Sequence, residues 1–444
     1  MDIEFLMIAT FVSFFVLSFA HLLKINSLFA VYYFFLFLYT IFSQIGYVYY
    51  PEHVMTLSSQ QYYGPEMFPQ YWLFVFLSFL CIYLLAIFAL RRKLSFIPTL
   101  HIKPMRIVVG GFPVSELMFV LFVLTVELFL FAELYDKYNF LGYRSAELLK
   151  GNKLWFYLLY FNSLLIFMLY FKVASMTASV KKNLYVLLAA LCVGISLTTN
   201  IRMGGRITVF FLATAFIGYF VPQEISLFSR RFWKGCFFVG IVVTGLVVFS
   251  QTITAIRGTA DTENIDGFIA VASNADVFRR LTIFENLLTQ DYFVPSFTII
   301  TSMYYGLVFP MTVLESNLLG LIPLIPHLTL GGVFVQIVNP LRDAGYGYYI
   351  LTEGYNVMGF WGIFYNMFIF VFGFKLIHRL FAETNNIEFN RFMRGVIAFI
   401  IISIVRGQSM YFIKAVYFVF SPAVILYMLA FGKGFRLSFS RGKS

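Results

Sequence analysis

The chain has 444 residues, of which 60% are apolar and only 12% charged, with a mean hydropathy of +0.84. A soluble domain keeps roughly a quarter of its residues charged, so this composition excludes one and describes a polytopic membrane protein. The net charge of +11 raises nucleic acid as a partner, but the cations sit in short segments between apolar runs. There they read as topology determinants and lipid head-group contacts, and no nucleic-acid partner is expected.

A bilayer core needs about 20 apolar residues per helix. Runs of that kind cover 5–23, 28–48, 71–90, 112–134, 154–172, 184–200, 206–221 and 235–255, then 354–378, 395–412 and 413–431. The expectation is an all-α polytopic membrane protein with about eleven transmembrane helices, within a range of about 10–14. The first run follows Asp2 and Glu4 rather than Lys or Arg, so it lacks a signal peptide's basic start and is expected to stay as a span. The last two runs join at a tight or kinked connection around Arg406-Gly407. Spans one to eight then occupy 1–255, a large loop 256–352, spans nine to eleven 353–432, and a basic cytoplasmic tail 433–444. The three cysteines, Cys81, Cys192 and Cys236, lie in or at the ends of apolar runs and imply no disulfide framework.

Charge orients these spans. Twenty of the 32 Lys and Arg fall in one alternating set of short connections, at 24, 91–106, 172–182, 230–234, 375–394 and 433–443. That side is therefore cytoplasmic, while the connection 49–70, with no Lys or Arg, lies outside. The N-terminus is then outside and the C-terminus inside. Of the twelve cations left on the outer side, seven are Arg202, Arg206, Arg257, Arg279, Arg280, Arg342 and Arg406. An outer face disfavours cations, so this clustering is the functional lead.

The loop 256–352 is far longer than ordinary connections, and loops of that length are usually functional. It is rich in Phe, Ile, Leu and Tyr. Its stretch 276–292 has the spacing of an amphipathic helix lying on the membrane. The stretch 304–338 is more apolar but is broken by Pro310, Pro323 and Pro326, and reads as short helices dipping into the outer leaflet, or as a pair of extra spans.

Arg202-Met203-Gly204-Gly205-Arg206 opens the seventh span, whose N-terminus faces outward with free N–H groups and a positive dipole end. The glycines let an anion approach the backbone, which suits a diphosphate; the alternative is that both arginines snorkel to lipid phosphates. Arg257, Arg342 and Arg406 offer the same planar fork at the outer interface, and Arg406 follows an apolar stretch that calls for a partner or cavity. Arg279 and Arg280 fit lipid head groups equally well. Candidate general bases are Glu353, at the start of the ninth span, and His327, in the Pro-rich part of the loop. Helix capping is the alternative for Glu353, and a hydrogen-bonded structural role for His327. Metal-ligand spacing is absent, and no Walker loop, G-x-S-x-G elbow or paired-His helix appears, so no metal or cofactor is expected.

The order of these features resembles the bacterial O-antigen and oligosaccharide repeat-unit polymerases of the Wzy type. The resemblance rests on Gly204-Gly205-Arg206 opening a span, Arg257-Gly258 beginning a large loop, the run from Glu353-Gly354-Tyr355-Asn356 to Gly362, and Arg406-Gly407 near the end. It implies a GT-C-like glycosyltransferase of the bacterial inner membrane, with a large helical periplasmic loop and no need of a metal or nucleotide. Undecaprenyl-diphosphate-linked glycans would be its substrates, membrane lipids its surroundings, and a chain-length regulator a further partner. Arg202, Arg206, Arg257, Arg342 and Arg406 would hold the diphosphate, and Glu353 or His327 would accept a proton. An O-antigen ligase-type glycosyltransferase and a lipid-linked glycan flippase stay open as alternatives. No internal repeat is visible, which weighs against the flippase.

Overall fold

The computed structural model describes residues 3–49, 67–91, 98–104, 108–109, 112–137, 153–203, 207–230, 232–237, 240–241, 293–319, 328–338, 349–405 and 409–438. The protein is mostly helical with almost no sheet. Its first half forms α1 (Ile3–Ile25), α2 (Ser27–Tyr49), α3 (Phe68–Arg91), α4 (Val114–Lys137), α5 (Lys153–Ala174), α6 (Val180–Met203) and α7 (Ile207–Phe220). Each coincides with an apolar run, as it must where no water can bond an open backbone. Most of the run 235–255 lies outside the described residues. The second half adds α8 (Phe293–Tyr304), α9 (Met311–Leu319), α10 (Leu330–Val338), α11 (Ile350–Met358), α12 (Gly362–Ala382), α13 (Ile387–Val405), α14 (Met410–Ala415) and α15 (Ser421–Phe431). Among the described residues, five segments are long and apolar enough to cross a membrane: Phe5–Ile25, Pro69–Arg91, Val114–Ala132, Val180–Leu197 and Ile350–Ala382. The chain is a multi-pass helical membrane protein.

Two apolar runs are interrupted where hydropathy alone predicts continuity. Between α11 and α12 a single 3-10 turn, Gly359–Trp361, breaks the ninth span. Between α14 and α15 the turn widens to a π-helix, Val416–Phe420. Pro422, near the start of α15, has no N–H to continue the ladder, and the Ser421 hydroxyl bonds the Val416 carbonyl instead (2.7 Å). The amphipathic stretch expected over 276–292 lies outside the described residues, whereas the short helices expected further on are α9 and α10. Preceding them, α8 does not lie apart as a loop element: it packs on α2, α3 and α11.

Packing is aromatic throughout. Phe15 stacks on Phe37 with centroids 3.7 Å apart, and Phe11 meets Phe79 edge-on at 5.0 Å, which joins α1, α2 and α3. In lipid, apolar area does not by itself drive helices together, so close fit matters more. One closely fitted pair is α7 against α13. A Cβ on Gly218 would overlap the Arg394 carbonyl, and one on Gly395 would overlap Phe167 and the Ala215 carbonyl.

One end of the bundle collects the cations that the charge count assigned to a single side. Lys172 of α5 bonds Glu116 of α4 (3.3 Å) and the Ala430 carbonyl of α15, and Lys181 of α6 pairs with the same Glu116. Arg91 bonds His21 (3.1 Å), and Lys375 reaches the Leu90 carbonyl (3.4 Å). Just past α12, Glu383 accepts from His378 (3.1 Å) and Arg379 (3.3 Å), with Lys375 at 3.8 Å. The His378 hydrogen bond, with the Lys375 and Arg379 charges behind it, holds the Glu383 carboxyl down at about 2 despite its burial. A small sheet closes this end. Strand β1 (Thr99–Pro104) runs antiparallel to β4 (Lys433–Ser438), from Thr99↔Ser438 to Pro104↔Lys433; β2 (Val108–Val109) and β3 (Phe112–Pro113) pair antiparallel as a separate two-stranded sheet. The Asn385 amide covers the edge of β1 by bonding both the N–H and the C=O of Ile102 (2.7 and 3.0 Å). The tail that composition marks only as basic is thus a paired strand through Ser438.

Candidate functional site

The opposite end is built around α11. Glu353 bonds Tyr365, near the start of α12, whereas Lys375 and Arg379 lie 10 and 14 positions further along that helix, roughly 15 and 21 Å at 1.5 Å per residue. Glu353 is 1% exposed. Its carboxylate accepts from the Ser409 N–H (2.6 Å), the Ser409 hydroxyl (2.6 Å) and the Tyr365 hydroxyl (2.7 Å). Ser409 stands just ahead of α14, and Tyr365 lies one turn into α12. The carboxylate therefore braces the α13–α14 junction against the α11–α12 junction. It does not cap α11, which the sequence offered as the alternative. A base for an incoming hydroxyl needs an oxygen that the hydroxyl can reach, and here both oxygens are engaged.

Around this brace α11 is stitched to its neighbours by hydroxyls and amides. Thr352 meets Thr298 of α8 (2.7 Å), and one turn on Asn356 donates to Ser302 (3.0 Å) and to the Leu307 carbonyl (2.7 Å). The Phe309 N–H returns a bond to the Asn356 carbonyl (2.8 Å). The Tyr349 hydroxyl reaches Thr40 (2.7 Å) and the Leu36 carbonyl (3.0 Å) of α2, while Asn366 of α12 donates to the Leu351 carbonyl (3.2 Å). The glycines of this run have separate tasks. Gly359 ends α11 at φ 58°, ψ −137°, a conformation closed to side chains. Gly354 and Gly362 bring α11 and α12 into backbone contact.

The helix ends beside the arginines converge on this same region. Helix α7 lies against α13 with Phe211 on Phe399 (centroids 4.3 Å apart) and Gly218 on Arg394 and Gly395. The two are antiparallel, so the start of α7 and the end of α13 share one end of the pair. The cationic end is the other one, because Ser27 bonds the Pro222 carbonyl, just past α7, and Arg394 bonds Ser27 (3.2 Å). Arg206 immediately precedes Ile207, the first residue of α7, and Arg406 immediately follows Val405, the last of α13. Arg202 is in the last turn of α6.

No family model, curated protein or solved structure matches this chain.

Of the candidate catalytic and diphosphate-binding residues, Glu353 is the one whose side chain is described. Arg206, Arg257, His327, Arg342 and Arg406 lie outside the described residues, as does the Arg202 side chain. Sequence reasoning did not single out Tyr365, Ser409, Thr298, Ser302, Thr352 or Asn356 as partners. A signal was present. Thr298 and Ser302, like Thr352 and Asn356, are spaced four apart, which puts each pair on one helical face.

Proposed function

We propose that this chain polymerises undecaprenyl-diphosphate-linked oligosaccharide repeat units, for an O-antigen or a related surface polysaccharide, by en bloc glycosyl transfer. In this reading it is a Wzy-type glycosyltransferase of the bacterial inner membrane, with about eleven spans in a GT-C-like arrangement and its reactive end toward the periplasm. One observation carries the reading. The start of α7, the end of α13 and the Glu353 brace lie at the end of the bundle away from the cations, and in sequence Arg206 and Arg406 adjoin those two helix ends.

The chemistry follows from what such an end would hold. An acceptor hydroxyl oxygen forms a bond to the anomeric carbon of the donor glycan as the bond from that carbon to the lipid diphosphate breaks. The diphosphate leaves with its electron pair, and Arg202, Arg206, Arg257, Arg342 and Arg406 neutralise the charge that builds on it. The hydroxyl proton passes to His327, because the Glu353 oxygens are held by Ser409 and Tyr365. Glu353 acts instead as a positioning residue for the segment that joins α13 to Ser409. Deleting the gene is expected to leave single repeat units on the finished glycolipid. An unchanged ladder of chain lengths would contradict the proposal, and full-length glycan stranded on the carrier lipid would indicate a ligase.

A further inference from the structure

A second buried carboxylate sits far from both ends. Glu127 lies 11 positions past Glu116 on α4, Asn162 lies 10 before Lys172 on α5, and Cys192 lies 11 past Lys181 on α6. Glu116, Lys172 and Lys181 mark the cationic end, so all three side chains stand at one height, roughly 15–16 Å along their helices. That height is close to the centre of a bilayer core about 30 Å thick. On α4 the neighbouring Leu128, Phe129 and Phe131 are exposed toward lipid, while Glu127 is 1% exposed and points into the three-helix group. Asn162 donates to Glu127 Oε2 (3.4 Å), and the Cys192 thiol lies beside the same carboxyl.

Among the described residues the arrangement is short of positive partners. Glu127 Oε1 and Asn162 Oδ1 are both buried, and neither has a hydrogen-bond partner among those residues. Turning the amide over does not help, since two oxygens would then face each other across the 3.4 Å contact. The cations of α5 and α6, namely Lys153, Lys172, Lys181, Lys182 and Arg202, stand nine to eleven positions away from the site, roughly 13–16 Å. On α5, α6 and α15 the other titratable groups are Tyr157, Tyr160 and Tyr170 of α5, Tyr185 of α6 and Tyr427 of α15. Tyr170 lies two positions from Lys172, Tyr185 lies four from Lys181, and Tyr427 packs on Phe171, so these three are toward the cationic end; the side chains of Tyr157 and Tyr160 lie outside the described residues, and a tyrosine supplies no positive charge. An ionisable group at this depth is expensive to keep and normally has a function and a partner.

We propose that Glu127, Asn162 and Cys192 form an intramembrane site for one monovalent cation, a proton or a sodium ion, held between the Glu127 and Asn162 oxygens. Occupancy supplies the missing positive partner and ties α4 to α5, with the thiol closing the α6 side. The test is thermal unfolding of the purified protein in detergent micelles, followed by tryptophan fluorescence, for wild type and Glu127→Gln. Sodium chloride is compared with choline chloride at fixed pH, and a pH series is run without sodium. A sodium site raises the wild-type midpoint in sodium chloride. A proton site lowers it as pH rises, with no sodium effect. In either case Glu127→Gln abolishes the response. If Glu127→Gln is not recovered folded, Glu127→Asp, which withdraws the carboxyl by one methylene, is expected to shift the response to higher sodium or to a different pH. Identical responses in wild type and variant, or no response in wild type, overturn the proposal.

Discussion

Glu353→Ala is expected to destabilise the folded protein by about 2–6 kcal/mol, and Glu353→Gln to leave it near wild-type stability. The alanine removes the acceptor of the Ser409 N–H, the Ser409 hydroxyl and the Tyr365 hydroxyl in a site that is 1% exposed; the two hydroxyls, 3.0 Å apart, can bond each other, so two donors are left unsatisfied. Each buried donor left unsatisfied costs about 1–3 kcal/mol, so the two together exceed what a typical exposed substitution does. Glutamine can rebuild the network. Its carbonyl oxygen takes the Ser409 N–H, and its NH₂ faces two hydroxyls that can rotate to accept. Thermal unfolding in detergent measures the difference. The same pair separates a brace from a base: glycan chain growth is expected to survive Glu353→Gln and to fail in Glu353→Ala. Loss of chain growth in a fully folded Glu353→Gln protein would mean that the carboxylate itself takes the proton.

Gly362→Ala is expected to destabilise the protein by about 1–3 kcal/mol, the range for overpacking a tight contact, against a helix-propensity gain of up to about 1 kcal/mol. The sign is informative. Gly362 opens α12 with ordinary helical angles, φ −55° and ψ −13°, so alanine would help if the space were free. The added methyl instead overlaps the Gly354 carbonyl, which is backbone and has no rotamer to adopt. Gly354→Ala meets the Asn366 side chain as well as the Gly362 carbonyl, and part of that contact can rotate away. The ordering expected from unfolding midpoints is therefore wild type, then Gly354→Ala, then Gly362→Ala. A more stable Gly362→Ala protein would show that α11 and α12 are further apart than described.

Much of this architecture is readable from the chain, for a physical reason. A segment such as 71–90 is apolar on every face because lipid and neighbouring helices surround it, so hydropathy alone locates α3. The break at Gly359–Trp361 escapes that reasoning because Phe360 and Trp361 are as apolar as the helices they separate. The only trace is the spacing of Gly354, Gly359 and Gly362, whose meaning depends on α11 and α12 touching. The β1–β4 ladder was also legible in part. Leu100 and Ile102 are buried while His101 and Lys103 are not, a period of two within a segment dominated by its charges. Its partner strand comes from more than 300 positions away, and no local pattern announces that.

The site divides in the same way. Glu353 stands out in sequence as a carboxylate at the edge of an apolar run, yet its partner Ser409 is 56 positions on and unremarkable there. Glu127 was overlooked because a single acid inside 112–134 hardly lowers the hydropathy of the run. What distinguishes it is depth, and depth becomes visible only once Glu116, Lys172 and Lys181 fix one end of their helices.

Glycosidic bond formation by the purified protein is the most direct measurement. Wild-type protein reconstituted into liposomes with lipid-linked repeat units, and no nucleotide sugar, is expected to convert them into a ladder of longer chains while releasing free lipid diphosphate. Arg206→Ala, incorporated to the same level, is expected to leave the repeat units single. Repeat units that stay unjoined with folded wild-type protein, or an Arg206→Ala ladder as long as wild type's, would contradict the assignment of this end of the bundle to a lipid diphosphate.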